Sequence, residues 1–266
     1  MRLLINHETV YSLTHAATRS VQYLRLTPRV DRCQRVESWS ISGPEHLRAW
    51  TDGYGNTVHV ASETAAHDAL TIRVSGVVAT RDTAGVLPLD DGLPPGMFLR
   101  SGPLIAASAE IAAFAAPFAG LRAEKGEIAA LHAMMSAQAD AVAFEPGTTT
   151  VTTTAAEAFA AKRGVCQDHA HIFIAACHAI GLPARYVSGY LAAGQGDVAT
   201  HAWAEVYIPG LGWVSFDAAN RQSATEAYVR LAVGPDYAAA APVIGMRTGG
   251  GGEEIAVRVQ IEQMQS

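Results

Sequence analysis

The chain predicts an α+β fold, an N-terminal antiparallel β-sandwich followed by helices packed on a second antiparallel sheet. Three observations carry this expectation. The first eighty residues alternate apolar and polar side chains without a helical period, residues 105–142 are rich in alanine and other helix formers, and alternation of period two returns after an apolar run ending at Cys177.

In the first segment Leu3, Ile5 and Tyr11 share one alternating phase, Val58 and Val60 another, and Leu70, Ile72 and Val74 a third. Asp52-Gly53-Tyr54-Gly55-Asn56 supplies turn chemistry between such runs, so residues 1–81 read as a β-rich domain. Residues 82–103, with Leu93-Pro94-Pro95-Gly96, carry proline and glycine punctuation and read as a linker. The second domain, 104–266, opens with helices over 105–118, broken by Pro117 and Gly120, and over 127–142. A third helix starts at Cys166 and stops at Gly181 and Pro183; being apolar nearly all round, it should be buried. Strands follow at 184–191, 201–208, 213–218 and 255–261, all read into one sheet. The run Gly249 to Gly252 lacks the lysine, preceding strand and following helix of a phosphate loop and reads as a flexible connection. Gly194-Gln195-Gly196-Asp197 reads as a mobile loop bordering the cleft.

Composition narrows the function. The 266 residues are 49% hydrophobic, enough for a sizeable core. With 19 basic and 25 acidic residues the net charge is −6, and no lysine/arginine-rich stretch offers a nucleic-acid footprint. Asn6, His7 and Glu8 interrupt the apolar start before it could act as a signal peptide, and no stretch approaches a membrane span. Neither nucleic acid nor membrane is therefore an expected partner, a cytoplasmic location is expected, and nothing in the sequence sets an oligomeric state. Cys33, Cys166 and Cys177 match neither a disulfide framework nor a zinc ribbon, and Cys177 reads as a small buried hydrophobe.

The chemistry centres on Cys166, which follows Gly164-Val165 at the start of the apolar helix. The partial positive charge of a helix N-terminus stabilises a thiolate, the nucleophilic form of cysteine. A base is available in His201, which shares a strand face with Trp203 and Glu205. Across a hairpin loop at 208–212, a register pairing Tyr207 with Trp213 sets Asp217 opposite Trp203 and diagonal to His201. The expected triad is Cys166 as nucleophile, His201 as base and Asp217 as orienter, with Glu205 and Asn220 as alternative orienters. His169, His171 and His178 crowd the Cys166 helix, but only Cys166 and His169 could reach one ion, and further ligands at suitable spacing are lacking; no metal and no cofactor are expected. Asp168 suits the helix macrodipole. The Cys166 N–H is one oxyanion donor, and Gln167, Tyr190 and Trp203 are the open candidates for the second and for substrate contact.

These same stretches carry a family resemblance: Gly164-Val165-Cys166-Gln167-Asp168-His169-Ala170-His171, then Gly181-Leu182-Pro183-Ala184-Arg185-Tyr186-Val187-Ser188-Gly189-Tyr190, His201-Ala202-Trp203-Ala204-Glu205-Val206 and Gly212-Trp213-Val214-Ser215-Phe216-Asp217. They resemble the transglutaminase-like core of the papain-like cysteine enzyme superfamily. Tyr23-Leu24-Arg25-Leu26-Thr27-Pro28 and Asp52-Gly53-Tyr54-Gly55-Asn56 resemble the β-rich region that precedes this core in a bacterial group. The resemblance implies a papain-like core for 104–266, Cys166 as nucleophile, His201 as base and Asp217 as orienter. The sequence departs from the group after Asp217, where Ala218 replaces a usual proline, at Pro235, where arginine is expected, and at Ala239, where aspartate is common. A peptide or protein acyl donor follows, and the thioester could be resolved by water or by an amine. Only Glu205 and Asp197 could recruit a lysine amine, so a cysteine peptidase or amidase is favoured over a transglutaminase; a catalytically silent interaction module is the reading from another class.

Overall fold

A computed structural model describes residues 1–44, 46–87, 91–192, 197–198 and 200–264. The first strand, β1 (Arg2–Leu24), buries Leu3, Ile5, His7 and Thr9 in strict alternation. At 23 residues it is too long for one flat sheet, and its pairing shifts register between Ser12 and Arg19. β2 (Gln34–Ser42), β3 (His46–Thr51), β4 (Thr57–Glu63) and β5 (His67–Thr80) complete the N-terminal strands. Beyond them, β6 (Val86–Leu87) lies in the stretch read as a linker. The helical part holds α1 (Ala109–Lys125), α2 (Glu127–Ala141), β7 (Ala143–Phe144), α3 (Ala155–Ala161), β8 (Arg163–Gly164) and α4 (Cys166–Ala179). The chain ends with β9 (Ala184–Leu191), β10 (Asp197–Val198), β11 (Thr200–Ile208), β12 (Gly212–Phe216), β13 (Tyr228–Gly234), α5 (Tyr237–Ala240), β14 (Val243–Gly249) and β15 (Glu253–Gln263).

Among the described residues the first sheet has eight strands, all antiparallel, curled around β1. The first half of β1 pairs with β15 on one edge and β5 on the other; its second half pairs with β14 and β4. The expected sandwich thus takes the form of one curled sheet that shares its longest strand. One expectation is corrected here: the strand read at 255–261 lies on β1 and not in the second sheet. Alternation reports that a strand has a buried and an exposed face, while its partner is fixed by non-local contacts. Val259 and Ile261 join Leu3 and Ile5 in the first core. The division at residue 104 is crossed in the same way, because β14 and β15 return to β1.

The second sheet runs β13-β9-β11-β12-β6. The supposed linker is docked: Leu87 pairs with Trp213, and Phe98 and Leu87 are buried against the Trp213 ring. Its prolines begin short 3₁₀ turns at Pro95–Leu99 and Pro103–Ile105, where the missing N–H is not needed. α1, capped by Ser108, passes Pro117 and Gly120 unbroken, contrary to expectation. Proline's fixed φ is helical; the lost bond falls on Ala113, which is exposed, so water can serve that carbonyl. α3 was not expected: it spans seven residues, and its only strong signal is the capping box of Thr154 and Glu157. α4 is buried all round, with Ile172 to Cys177 inaccessible, and packs with Tyr186, Ala202, Ala204 and Val206 in the main core. From the second sheet, Tyr190, Val229 and Leu231 meet the first sheet's Leu3, Ile5 and Ile72. Among the described residues no helix is long and apolar enough to cross a membrane.

Candidate active site

Cys166 is the first residue of α4, so its N–H is one of the donors that a helix leaves without an internal partner. The entry into this helix is held by Asp168, whose Oδ2 accepts the Val165 N–H at 2.7 Å and the Thr149 hydroxyl at 2.7 Å. Glycine is required at 164, since a Cβ there would lie 2.6 Å from the Asp168 Cβ. The acidic side chain three residues beyond the turn therefore stays close against the backbone, while the cysteine side chain is left half-buried at the helix head.

His201 is the second residue of β11 and pairs with Gly189 of β9. A side chain at 189 would meet the Val229 carbonyl at 2.1 Å and the Trp203 ring at 2.7 Å, so this glycine makes room for the indole that stacks on His201, centroids 6.1 Å apart. The hairpin takes the expected register, with Tyr207 opposite Trp213 and Ala204 opposite Phe216. Asp217 follows directly, and His201 Nε2 donates to its Oδ2 at 2.6 Å. This leaves the other ring nitrogen free to serve Cys166, whose side chain is close enough to act on the imidazole pKa. Burial alone would depress the His201 pKa, but the hydrogen bond to Asp217 and the neighbouring Cys166 thiol, with their charges, raise it to about 9. Asp217 shows the mirror effect. Burial would raise its pKa, yet His201, Asn220 and Tyr228 hold it below the usual carboxylate range. Its Oδ2 also accepts from Asn220 Nδ2 at 2.8 Å and Tyr228 Oη at 2.7 Å, and its Oδ1 from the Asn220 N–H at 3.2 Å.

Comparison with known proteins places this arrangement. The transglutaminase-like superfamily matches residues 112–218, which contain Cys166, His201 and Asp217, and the bacterial transglutaminase-like N-terminal region matches residues 3–79. Together the two cover more than half of the chain. The chain carries a transglutaminase-like core behind a bacterial transglutaminase-like N-terminal region. An uncharacterized protein of Mycobacterium leprae is 28% identical over 99% of both chains, and one of Mycobacterium tuberculosis is 29% identical over 92% of this chain and 87% of its own. The crystal structure of a candidate cysteine protease from Cytophaga hutchinsonii superposes with a TM-score of 0.80 at 22% identity, covering 100% of this chain and 91% of that one, which shows a shared fold.

Within this transglutaminase-like core several candidates from the sequence lie elsewhere. Glu205 is not an orienter: it is fully buried, accepting from Arg185 Nε at 2.8 Å and from Arg230 Nε at 2.7 Å. Burial would raise its pKa, but Arg230 and Arg185 hold it below the usual range, so its charge is committed. Sharing a strand face with His201 does not bring it near, because four residues of strand span about 13 Å. Asn220 joins the pair instead of replacing Asp217. Its Nδ2 lies 3.3 Å from His201 Nε2, but both are donors there, so the bond it makes is the one to Asp217.

Tyr190 also leaves the site. Its ring is inaccessible in the core shared with the first sheet, and its hydroxyl pairs with His7 Nδ1 at 2.8 Å. Gln167 donates to the Val151 carbonyl at 3.2 Å, tying the helix start to the 145–154 loop. Trp203 alone of the three touches the imidazole, and its indole N–H is buried without a partner among the described residues. The three helix histidines diverge: His169 stacks on Phe144, His171 Nε2 accepts the Tyr237 N–H, and His178 donates to the Ala184 carbonyl. Burial pushes all three imidazoles down, His171 to about 3. Among the described residues no three histidine, cysteine or acidic side chains are grouped to hold a metal ion. Burial pushes the Cys177 and Cys33 thiols up, and Cys33 Sγ also donates to Asp31 at 2.8 Å. The loop at 194–196 lies outside the described residues. Sequence reasoning missed Tyr228; the run Tyr228-Val229-Arg230-Leu231-Ala232-Val233, rich in strand formers and interrupted only by Arg230, was the available signal.

Proposed function

We propose that the protein is a thiol-dependent acyl-transfer enzyme that cleaves peptide or amide bonds through a thioester on Cys166. The observation that carries this reading is His201, which donates to Asp217 Oδ2 at 2.6 Å and has the Cys166 side chain at the head of α4 as its other polar neighbour, both raising the imidazole pKa. In the proposed sequence, His201 holds the proton taken from Cys166 and Sγ attacks the donor carbonyl carbon. The tetrahedral oxyanion faces the Cys166 N–H, and the imidazolium then protonates the departing amine as the C–N bond breaks. For the second half, His201 takes a proton from water as its oxygen attacks the thioester, and the thiol leaves with that proton. Asp217 keeps the imidazole oriented and balances its charge throughout.

Hydrolysis is favoured over transamidation because the Glu205 carboxylate is neutralised by two arginines and has no charge left to attract a lysine ammonium. The triad supplies nucleophile, base and orienter, so the proposed reaction calls for no metal or cofactor, and its partner is a peptide or protein substrate. The free state of all three cysteines supports a reducing compartment such as the cytoplasm. The test is incubation with peptide amide donors, with and without a primary amine, followed by product masses. Hydrolysed product should dominate at modest amine concentration and vanish in Cys166→Ala. Dominant amine adducts would make the enzyme a transglutaminase, and turnover by Cys166→Ala would remove the thioester route.

A further inference from the structure

The orienting carboxylate of the proposed triad has a partner that comes from neither the nucleophile's helix nor the histidine's hairpin. Tyr228 opens β13, and its hydroxyl donates to Asp217 Oδ2, the oxygen that also binds His201. The same hydroxyl accepts from Gln222 Nε2 at 2.8 Å. Its ring meets Trp203 edge-on at 5.2 Å and lies 6.0 Å from the His201 ring, so it borders the imidazole and the indole that covers it. The ring is buried, and its place is fixed from the next turn of the pleat: Arg230 is locked by Glu205 and by Asp31.

A carboxylate oxygen with one donor is free to rotate about its Cβ–Cγ bond and to share its charge with water. Oδ2 of Asp217 has three donors arriving from three directions, and only the imidazole is part of the reaction. We propose that Tyr228 is a positioning residue of this triad, its hydroxyl fixing the Asp217 oxygen that orients His201. The inference rests on the reading of Cys166, His201 and Asp217 given above. Burial and the neighbouring Asp217 charge raise the pKa of the Tyr228 phenol, so it remains a donor across the working range. Donation by Gln222 to the phenol oxygen polarises the O–H and strengthens its bond to Asp217.

The test needs no substrate. Iodoacetamide alkylation of Cys166 is followed against pH in the full chain, with Tyr228→Phe removing only the hydroxyl and keeping the ring against Trp203. Losing a donor makes the Asp217 carboxylate harder to ionise, so the acid limb of the profile should move up by about half a unit to one unit. Gln222 is on the surface, and Gln222→Met should move the limb the same way by less. In an Asp217→Asn background, Tyr228→Phe should add nothing, because the hydroxyl acts through that carboxylate. A Tyr228→Phe profile with wild-type limbs, or the same loss in both backgrounds, overturns the proposal. The underlying reading fails by a different sign, namely His201→Ala alkylating as fast as wild type. If His201→Ala is slow while Tyr228→Phe is unchanged, only the role of Tyr228 falls.

Discussion

The pKa of His201 decides how the site behaves with pH. Its value of about 9 in the folded chain exceeds the unperturbed 6.5, so the imidazolium's bond to Asp217 and its attraction to Cys166 stabilise the fold fully below pH 6.5 and are lost as pH rises through 9. Alkylation of Cys166 should therefore change slope near pH 9 in the wild type and lose that feature in His201→Ala, where labelling at neutral pH should also slow. Mass mapping should find Cys166 labelled well before Cys33 and Cys177, whose thiols burial keeps protonated. Asp217→Asn presents an amide where His201 needs an acceptor and favours the wrong tautomer. Turnover should drop by about 10³ to 10⁴ while the protein stays folded at a lowered unfolding midpoint, and an activity loss below tenfold would assign the orienting role to another group.

Elements whose chemistry is local were legible in the sequence. α4 announced itself by an apolar run after Gly164-Val165, and the β11–β12 hairpin by alternation on either side of Pro209-Gly210, with a register that put Asp217 within reach of His201. What escaped were properties set by distant chain. β13 supplies Tyr228 to the triad and Arg230 to Glu205, yet nothing local in Tyr228-Val229-Arg230-Leu231 marks either residue for its distant partner. Tyr190 looked like a cleft residue by proximity to the motif, but the packing of the first sheet against β9 claims it. Gly189 is a second case in which only the assembled sheet explains the residue, since a methyl group would press on the β13 backbone and on Trp203 together. The Val229 carbonyl is held in the β13–β9 ladder beside buried side chains, so Gly189→Ala should cost about 1–3 kcal/mol, read as a lowered urea midpoint, and should slow Cys166 alkylation by displacing the indole from His201. A variant with wild-type midpoint and alkylation rate would mean that β9 and β13 tolerate a wider spacing.

At the scale of the whole molecule, the two sheets are joined by charge as well as by apolar surface. Arg230 of β13 pairs with Asp31 from the N-terminal region, Arg185 of β9 pairs with Asp91 from the docked strap, and Glu205 of β11 bridges both arginines. The Arg185 guanidinium also lies over the Trp213 ring at 3.8 Å. Each charge is compensated by groups from another part of the chain, so removing one partner leaves a buried charge rather than an empty space. β14 and β15 add the same dependence in the backbone, since both pair with β1. A fragment of residues 82–266 would expose Val229 and Leu231, leave those two strands without their neighbour, and strip Asp31 from Arg230. It should therefore fail to unfold cooperatively on its own and should not show the alkaline feature of Cys166 alkylation. Asp31→Asn in the full chain isolates the charge from the rest: the fold is kept, Arg230 retains Glu205, and stability should drop by about 3 kcal/mol, measured in urea. A fragment that melts cooperatively with native alkylation behaviour would show that the transglutaminase-like core stands alone, and the ionic contacts would then be a consequence of docking rather than a condition for it.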